Sequence, residues 1–186
     1  MKVTREQAVE NRKKVVDTAS RLFREKGFDG IGVADLMKAA GLTHGGFYGQ
    51  FSSKEDLAAQ ACARALVEAG ETWDRWSAES ATNPLGALAD AYLSPRHREN
   101  YGGGCAFAAL GGEAPRWGRA VQRAFTEGLQ ARIKRLVELL PGQSEKARRK
   151  KAIATMASFV GGLVLARAVD DPKLSAEILQ AVRNNL

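Results

Sequence analysis

Glycine and proline divide this chain into segments whose apolar residues recur at helical spacing. The first segment opens with a capping box, Thr4 with Gln7, and ends at Gly27. No set of β-branched runs alternates strictly enough with polar residues to build a sheet. The pattern therefore predicts an all-α fold.

Further boundary signals predict about nine helices in all. Ser53 with Asp56 forms a second capping signal, which opens a long helix from Lys54 to about Trp76. Asn83 followed by Pro84 is typical of a helix start, because proline lacks the N–H that would be unpaired there. Later helices are predicted over 115–140, 144–168 and 172–184.

The net charge of +7 favours an anionic partner, but its distribution is uneven. Residues 1–60 carry 10 Lys and Arg against 8 Asp and Glu, a net of +2, and residues 61–115 carry 4 against 7, a net of −3. Residues 116–151 carry 11 against 3, a net of +8. Net charge alone therefore assigns no binding surface to the first sixty residues.

The cysteines, the histidines and the longest apolar run indicate where the protein is located and whether it has a catalytic or metal site. Cys62 and Cys105 lie far apart without zinc or disulfide spacing, and the apolar run Ala152–Ala166 is shorter than the ~20 residues of a membrane span. We expect a cytoplasmic protein with no secretory signal and no membrane partner. His44 and His97 are not accompanied by a cluster of acids, so we expect no catalytic residue, metal site or cofactor.

Residues 33–51 show the pattern of two helices joined by a short turn. A helix from Val33 to Ala40 is closed by Gly41, and a very short helix is predicted from about Thr43 to Phe51. Such a unit projects its second helix into the major groove of DNA when apolar residues lock the two helices together. The predicted locking residues are Leu36, Ala40, Leu42, Phe47 and Phe51.

Three glycines make the second helix of this unit unusual. Gly45, Gly46 and Gly49 each lower helix stability by roughly 1 kcal/mol relative to alanine. Close approach of the backbone to a DNA groove is one explanation. Tight packing against the first helix, or a helix kink, is the other.

The N-terminal sixty residues resemble the DNA-binding domain of TetR-type regulators. The resemblance rests on VVDTASRLF at 15–23, GF at 27–28, VADL at 33–36 and AGLTHGGFYGQFSSKEDL at 40–57. It implies a DNA-binding helix-turn-helix domain over residues 1–58 and a helical domain for effector binding and dimerisation over residues 59–186. It also implies a homodimeric repressor that a small-molecule effector releases from double-stranded operator DNA.

Carried over by position, the resemblance implies DNA contacts from Thr43, His44, Gly45, Gly46, Tyr48, Gln50 and Lys54. Tyr48 and Lys54 would contact phosphates, and a lysine at a helix N-terminus favours this independently. The family often has histidine where this chain has Gln50, and serine or threonine where it has Gly32. At those two phosphate contacts the chain departs from the family pattern.

The second half offers candidates for an effector pocket and a dimer interface. Pocket candidates, which are also typical of an ordinary core, are Trp73, Trp76, Cys105, Phe107, Leu110, Trp117, Phe125 and Met156. Candidates for a four-helix interface between two copies are Ile153, Val160, Leu163, Val164, Leu174, Ile178 and Val182.

Four alternatives remain open from the sequence. The basic run between Lys146 and Lys151 is either a patch for nucleic acid or membrane, or the solvated end of a packed helix. Cys105 is either a small buried residue or a sensor activated by Arg96, Arg98 or Arg116. The chain as a whole is alternatively a helical ligand-binding or cysteine-based redox-sensing module with vestigial DNA binding. Activation in place of repression is also compatible with the sequence.

Overall fold

The computed structural model describes residues 4–142 and 144–186, and in these residues it contains nine α-helices and no strand. The predicted all-α class is confirmed. Two 3₁₀ turns lie at His44–Gly46 and Ala114–Arg116. The helices are α1 Arg5–Lys26, α2 Val33–Ala39, α3 Lys54–Ala78, α4 Pro84–Tyr92, α5 Pro95–Glu99, α6 Ala106–Leu110, α7 Gly118–Leu139, α8 Glu145–Ala168 and α9 Pro172–Asn184.

Side-chain caps open the helices where the sequence predicts them. The Thr4 hydroxyl accepts a hydrogen bond from the backbone N–H of Gln7 at 3.2 Å. The Ser53 hydroxyl accepts from the N–H of Asp56 at 3.1 Å, and the Asn83 side chain caps α4 ahead of Pro84. Each cap contributes typically about 1 kcal/mol to stability, so these residues fix where the helices begin.

One hydrophobic core joins α1, α2 and α3. Phe23 and Phe28 are fully buried in it, with ring centroids 5.3 Å apart. Leu110 of α6 belongs to this core, and the Trp117 ring packs 4.7 Å from Phe28. The N-terminal helices are therefore stabilised partly by residues from the second half of the chain.

A second core lies among α3, α4, α7, α8 and α9. Its centre contains Tyr92 stacked on Phe159 at 4.7 Å, with Trp73 edge-on to both rings. Of the helices in the described residues, α8 alone is long and apolar enough to suit a membrane span. Phe159 and Leu163 of α8 are nevertheless fully buried, and a Cβ on its Gly162 would meet Val182 of α9 at 2.9 Å. One face of this helix therefore packs inside the bundle.

The predicted start of the helix at Pro115 is wrong. Pro115 lies in the 3₁₀ turn, and α7 begins at Gly118. Gly118 has a φ of +80°, a backbone conformation outside the helical region that favours glycine, so one continuous helix cannot run through it.

Candidate DNA-binding surface and interior cavity

A glycine-dependent motif ends α2 and starts the turn. Gly41 has a φ of +71°, and its N–H donates to the Lys38 carbonyl at 2.9 Å. The N–H of Leu42 donates to the Met37 carbonyl, also at 2.9 Å. These two bonds form a Schellman motif, which requires the left-handed conformation at Gly41. The sequence prediction that Gly41 closes this helix is confirmed.

The segment after the turn is not the short α-helix predicted from Thr43 to Phe51. It contains a 3₁₀ turn at His44–Gly46, in which the N–H of Gly46 donates to the Thr43 carbonyl at 3.0 Å. Further turns follow, with the N–H of Gln50 and that of Phe51 donating to the Phe47 carbonyl. Three glycines in seven residues oppose a regular helix, which explains the difference. We call residues 43–51 the recognition segment.

Two phenylalanines and an arginine hold the recognition segment in place. Phe47 and Phe51 are 1% and 2% exposed, and their rings stack 5.4 Å apart. Arg12 of α1 lies 4.5 Å above the Phe51 ring and donates hydrogen bonds to the Gln50 carbonyl and, at 2.9 Å, to the Gln60 side chain. Nothing in the sequence pattern distinguishes Arg12 from the other cations of this helix.

The polar side of the recognition segment faces solvent. Tyr48 is 70% exposed, its ring stands edge-on to His44 at 5.8 Å, and both Thr43 and His44 are exposed. Gln50 is half-buried, and its amide nitrogen donates to the Gly46 carbonyl at 3.2 Å. That amide is thus engaged within the protein. Gly32 begins α2 without a side-chain cap.

The glycines of the recognition segment are not required by packing. A Cβ at Gly45 would have no neighbouring atom within 4 Å, and one at Gly49 would meet only the Gly46 carbonyl at 3.9 Å. At Gly46 the nearest atom would be 3.7 Å away, an ordinary contact. None of the three has a positive φ. Tight packing against the first helix is therefore excluded as their explanation.

Lys54 begins α3 beside this surface. Its ammonium lies 5.2 Å from the centre of the Trp117 ring, so a cation–π contact holds it against the second half of the chain. The same indole packs on Phe28, and Glu113 accepts a hydrogen bond from the Phe28 N–H at 2.9 Å. Residues 113–117 thus contact both Phe28 and the first residue of α3.

An interior cavity of about 40 Å³ lies between α3, α7 and the loop before α6. Five of the predicted pocket residues line it: Trp73, Trp76, Cys105, Phe107 and Met156. Further lining residues that sequence reasoning missed are Tyr92, His97 and Arg132. Their positions arise from tertiary packing, and no local spacing indicates them.

Arg132 is the buried cation of this cavity. It is 9% exposed, and its guanidinium lies 5.3 Å from the Trp73 ring centre. A Cβ at Gly70 would lie 2.4 Å from Nη2, so the guanidinium occupies space that only glycine leaves open. Burial lowers the pKa of Arg132, and Asp74 partly opposes that shift.

The remaining polar groups of the cavity are buried as well. His97 Nδ1 donates to the Tyr92 carbonyl at 2.6 Å, and burial lowers the pKa of His97. The Tyr92 hydroxyl lies beside Cys105, a weak partner, and makes no hydrogen bond of ordinary geometry to any described residue. Burial raises its pKa far above the usual range.

Both cysteines are buried and unpaired. Arg132 lines the same cavity as Cys105, whereas Arg96, Arg98 and Arg116, which the sequence offered, are not among its lining residues. Cys62 lies in the first core, where burial raises the pKa of its thiol to about 12.

Three predicted pocket residues lie elsewhere. Leu110 and Trp117 pack in the first core, because α6 and the 3₁₀ turn after it reach back to α1. Phe125 lies outside the cavity, edge-on to Phe107 at 5.5 Å, and lines an open groove of about 850 Å³ between α7 and α8. Phe107 and Met156 line both spaces and so form the wall between them.

The predicted dimer residues divide into three groups. Ile153, Val164 and Leu174 are exposed, and Val160, Ile178 and Val182 are half-buried. Leu163 is a correction: it is fully buried in the second core and presents no surface to a partner. Leu165, which the sequence did not single out, is 57% exposed. The basic run from Lys146 to Lys151 forms the solvated first turns of α8.

Sequence similarity to known proteins covers about half of the chain or less. The sequence profile described as "Bacterial regulatory proteins, tetR family" matches residues 15–61. The HTH-type transcriptional regulator AcrR of Shigella flexneri is 31% identical over 90 residues, which cover 48% of this chain and 42% of that protein. TtgR of Pseudomonas putida, also an HTH-type transcriptional regulator, is 34% identical over 86 residues, covering 46% and 40%. The matches thus span less than half the length of these relatives.

Solved structures extend the likeness in fold to the whole chain. A TetR-family regulator from Cytophaga hutchinsonii superposes with a TM-score of 0.79 at 20% identity, covering 99% of this chain and 96% of that one. A TetR regulator from Chloroflexus aurantiacus gives 0.79 at 22% identity, covering 96% and 95%. The tetR-family profile thus matches residues 15–61, and the fold of the whole chain is that of these solved TetR-family regulators.

Proposed function

We propose that this protein is a cytoplasmic, homodimeric transcriptional repressor that binds operator DNA and is released by a small-molecule effector. The observation that carries the proposal is the recognition segment, whose aromatic pair is buried while Tyr48, 70% exposed, faces solvent beside His44. In a helix-turn-helix protein such a surface enters the major groove. The transcriptional regulators that match this half of the chain support the proposal.

The proposed DNA contacts are those carried over from the family. Thr43, His44, Gly45 and Gly46 approach bases or adjacent phosphates, while Tyr48 and Lys54 donate to phosphates. The engaged amide of Gln50 favours a supporting role over direct contact. Phosphate contacts set affinity and register, whereas base contacts set sequence preference.

The proposed dimer uses the exposed apolar residues of α8 and α9. Ile153, Val164 and Leu174 are 48%, 39% and 42% exposed, and a Cβ at Gly161 would meet nothing within 4 Å. A second copy can therefore approach α8 closely along this face. Two recognition segments held by such a dimer must match grooves about 34–36 Å apart.

The proposed release mechanism needs an effector that binds two arrangements of the dimer unequally. The cavity is connected to α1 through its loop, and residues 113–117 are connected to Phe28 and Lys54. Binding in the cavity changes the relative stability of these contacts and hence the spacing of the two recognition segments.

The experiment that tests the proposal is a binding titration on DNA from the promoter of the protein's own gene at fixed salt. Tyr48→Phe and Lys54→Ala should each weaken binding, and the matched controls Tyr101→Phe and Lys146→Ala should not. Tyr101 is exposed in the second half and Lys146 lies in the solvated start of α8. Unchanged affinity in both test variants, or absence of a footprint, would count against the assigned contacts.

A further inference from the structure

Arg12 of α1 connects the recognition segment to α3. Its guanidinium lies 4.5 Å above the Phe51 ring and donates from Nη1 to the Gln50 carbonyl. From Nη2 it donates to the Gln60 side chain of α3 at 2.9 Å. The two acceptors are 38 and 48 positions away from Arg12 in the sequence. One half-buried side chain therefore joins three elements of the N-terminal half.

The hydrogen bonds continue from Arg12 to the loop between the recognition segment and α3. The Gln60 amide nitrogen donates to Asp56 Oδ1 at 2.7 Å. Asp56 Oδ2 accepts from the N–H of Ser52 at 3.0 Å and from its hydroxyl at 3.1 Å. These contacts, which we call the Arg12 network, hold the backbone at Gln50 and at Ser52.

The recognition segment has few other directional restraints. Its internal hydrogen bonds form only turns, and its three glycines give the backbone wide conformational freedom. In the part of the chain that the structure describes, the bond from Arg12 to the Gln50 carbonyl is the only hydrogen bond to this segment from another element. Burial of Phe47 and Phe51 is non-directional, so it does not fix the orientation of the peptide groups between them.

We propose that Arg12 is a positioning residue for DNA binding, which holds the recognition segment in its binding conformation before the protein meets DNA. The Gln50 carbonyl lies between Tyr48 and Lys54 in the chain, so fixing it sets the separation of the two proposed phosphate contacts. Both Nη groups of Arg12 donate within the protein, so its guanidinium is directed at the protein and not at phosphate. This inference rests on the proposed function, because it assigns a role within that DNA-binding mechanism.

Loss of Arg12 should lower the fraction of molecules that are ready to bind DNA, without changing the contacts made once DNA is bound. The apparent dissociation constant rises by the inverse of that fraction. Arg12→Gln should therefore weaken binding to promoter DNA about 10- to 100-fold, the effect of losing a hydrogen bond to a charged group. The slope of log K against log salt concentration should keep the parent value, whereas loss of a direct phosphate contact would reduce its magnitude by about 0.9.

Two further variants complete the titration. Lys26→Gln removes the same charge from an exposed position at the C-terminal end of α1 and should bind DNA like the parent. Arg12→Lys keeps the charge but lacks the planar fork that reaches two acceptors, so its affinity should lie between those of the parent and Arg12→Gln. Parent-like affinity of Arg12→Gln, or a slope reduced by about 0.9, would overturn the proposal. If Arg12→Gln does not fold, parent-like affinity of Arg12→Lys does so.

Amide hydrogen exchange of the free protein distinguishes positioning from a general loss of stability. In Arg12→Gln the amides of the recognition segment should exchange about 10-fold faster or more, while those of α7 and α8 should keep the parent rates. An equal acceleration in all helices would show that Arg12 supports folding alone, and would contradict the proposed role.

The DNA titration of the parent protein separates this inference from the proposed function. Absence of DNA binding by the parent would refute the proposed function, and the role of Arg12 with it. DNA binding by the parent, with equal affinities of Arg12→Gln and Lys26→Gln, would refute the role of Arg12 alone.

Discussion

Arg24 on α1 donates a 3.0 Å hydrogen bond from Nη1 to the backbone carbonyl of Gly104, a residue that lines the interior cavity. The same guanidinium donates to the Ser20 carbonyl at 2.9 Å and lies 3.6 Å from Glu68. Burial lowers the pKa of Arg24, with Glu68 acting in the opposite direction. One side chain thus ties the N-terminal helix to the wall of the cavity.

Replacement of Arg24 should therefore affect stability and the effector response together. Arg24→Gln should lower the free energy of unfolding by about 1.5–3 kcal/mol, because it removes buried hydrogen bonds to a charged group. Arg21→Gln, which breaks only an exposed ion pair with Glu25, should change it by less than about 1 kcal/mol. Urea unfolding measures both variants, and equal small effects would show that the Gly104 contact contributes little.

The open glycines of the recognition segment allow folding and DNA binding to be separated. Gly45→Ala and Gly49→Ala should leave the free energy of unfolding unchanged or raise it by up to about 1 kcal/mol, because no atom obstructs the new methyl group. Both should weaken DNA binding if the backbone approaches the groove. Gly112→Ala, equally unobstructed but in the second half, is the control. Full affinity in both test variants would argue against close approach.

Stability should fall on mild acidification because of His97. Its pKa is lowered in the folded protein, so below its ordinary value of 6.5 the unfolded chain binds a proton that the folded protein does not. The contribution of His97 to the free energy of unfolding should therefore decrease as the pH falls from above 6.5 towards the lowered pKa, and be constant below it. His97→Asn, compared by urea unfolding at pH 7.5 and 5.5, should reduce this dependence.

His44→Asn is the matched control for that measurement, because His44 is exposed and is the other histidine of the chain. If the pH dependence of stability persists in His97→Asn and disappears in His44→Asn, the titrating group is His44 and the prediction for His97 is contradicted.

A charge on the exposed face of α8 should dissociate the proposed dimer. Ile153→Glu places a carboxylate at a position that is 48% exposed in the protomer and buried in the proposed interface. Sedimentation should then give the 20.0 kDa chain mass, where the parent gives about twice that value. Val67→Glu, at an exposed position of α3, should sediment like the parent. A monomeric parent would refute this arrangement.

Local signals in the sequence predicted the helix boundaries well. Thr4 and Ser53 cap their helices through the backbone atoms expected, and Gly41 closes α2 through its positive φ. Each of these interactions joins residues within a few positions of one another. The predicted α-helix over residues 43–51 is wrong because three glycines weaken that conformation and packing of Phe47 and Phe51 suffices to hold the segment.

Contacts between residues far apart in the chain could not be predicted from local sequence signals. The sequence around Arg132 does not indicate that this residue lines a cavity. The sequence around Arg12 does not indicate that its guanidinium packs on the Phe51 ring. Helix α8 illustrates the limit: apolar residues occur on several of its faces, so periodicity did not distinguish buried Leu163 from exposed Val164. Trp117 was predicted to line the pocket because it is aromatic. It packs instead on Phe28, which is far from it in the sequence, and so belongs to the first core.

The positions of the tryptophans give the protein built-in optical reporters. The chain contains three, of which Trp73 and Trp76 line the cavity and Trp117 contacts Phe28 and Lys54. Intrinsic fluorescence of a variant retaining only Trp117 follows the N-terminal half, and fluorescence of a variant lacking Trp117 follows the cavity. Stopped-flow traces from the two would time entry of the proposed effector and movement of the N-terminal helices without any attached dye.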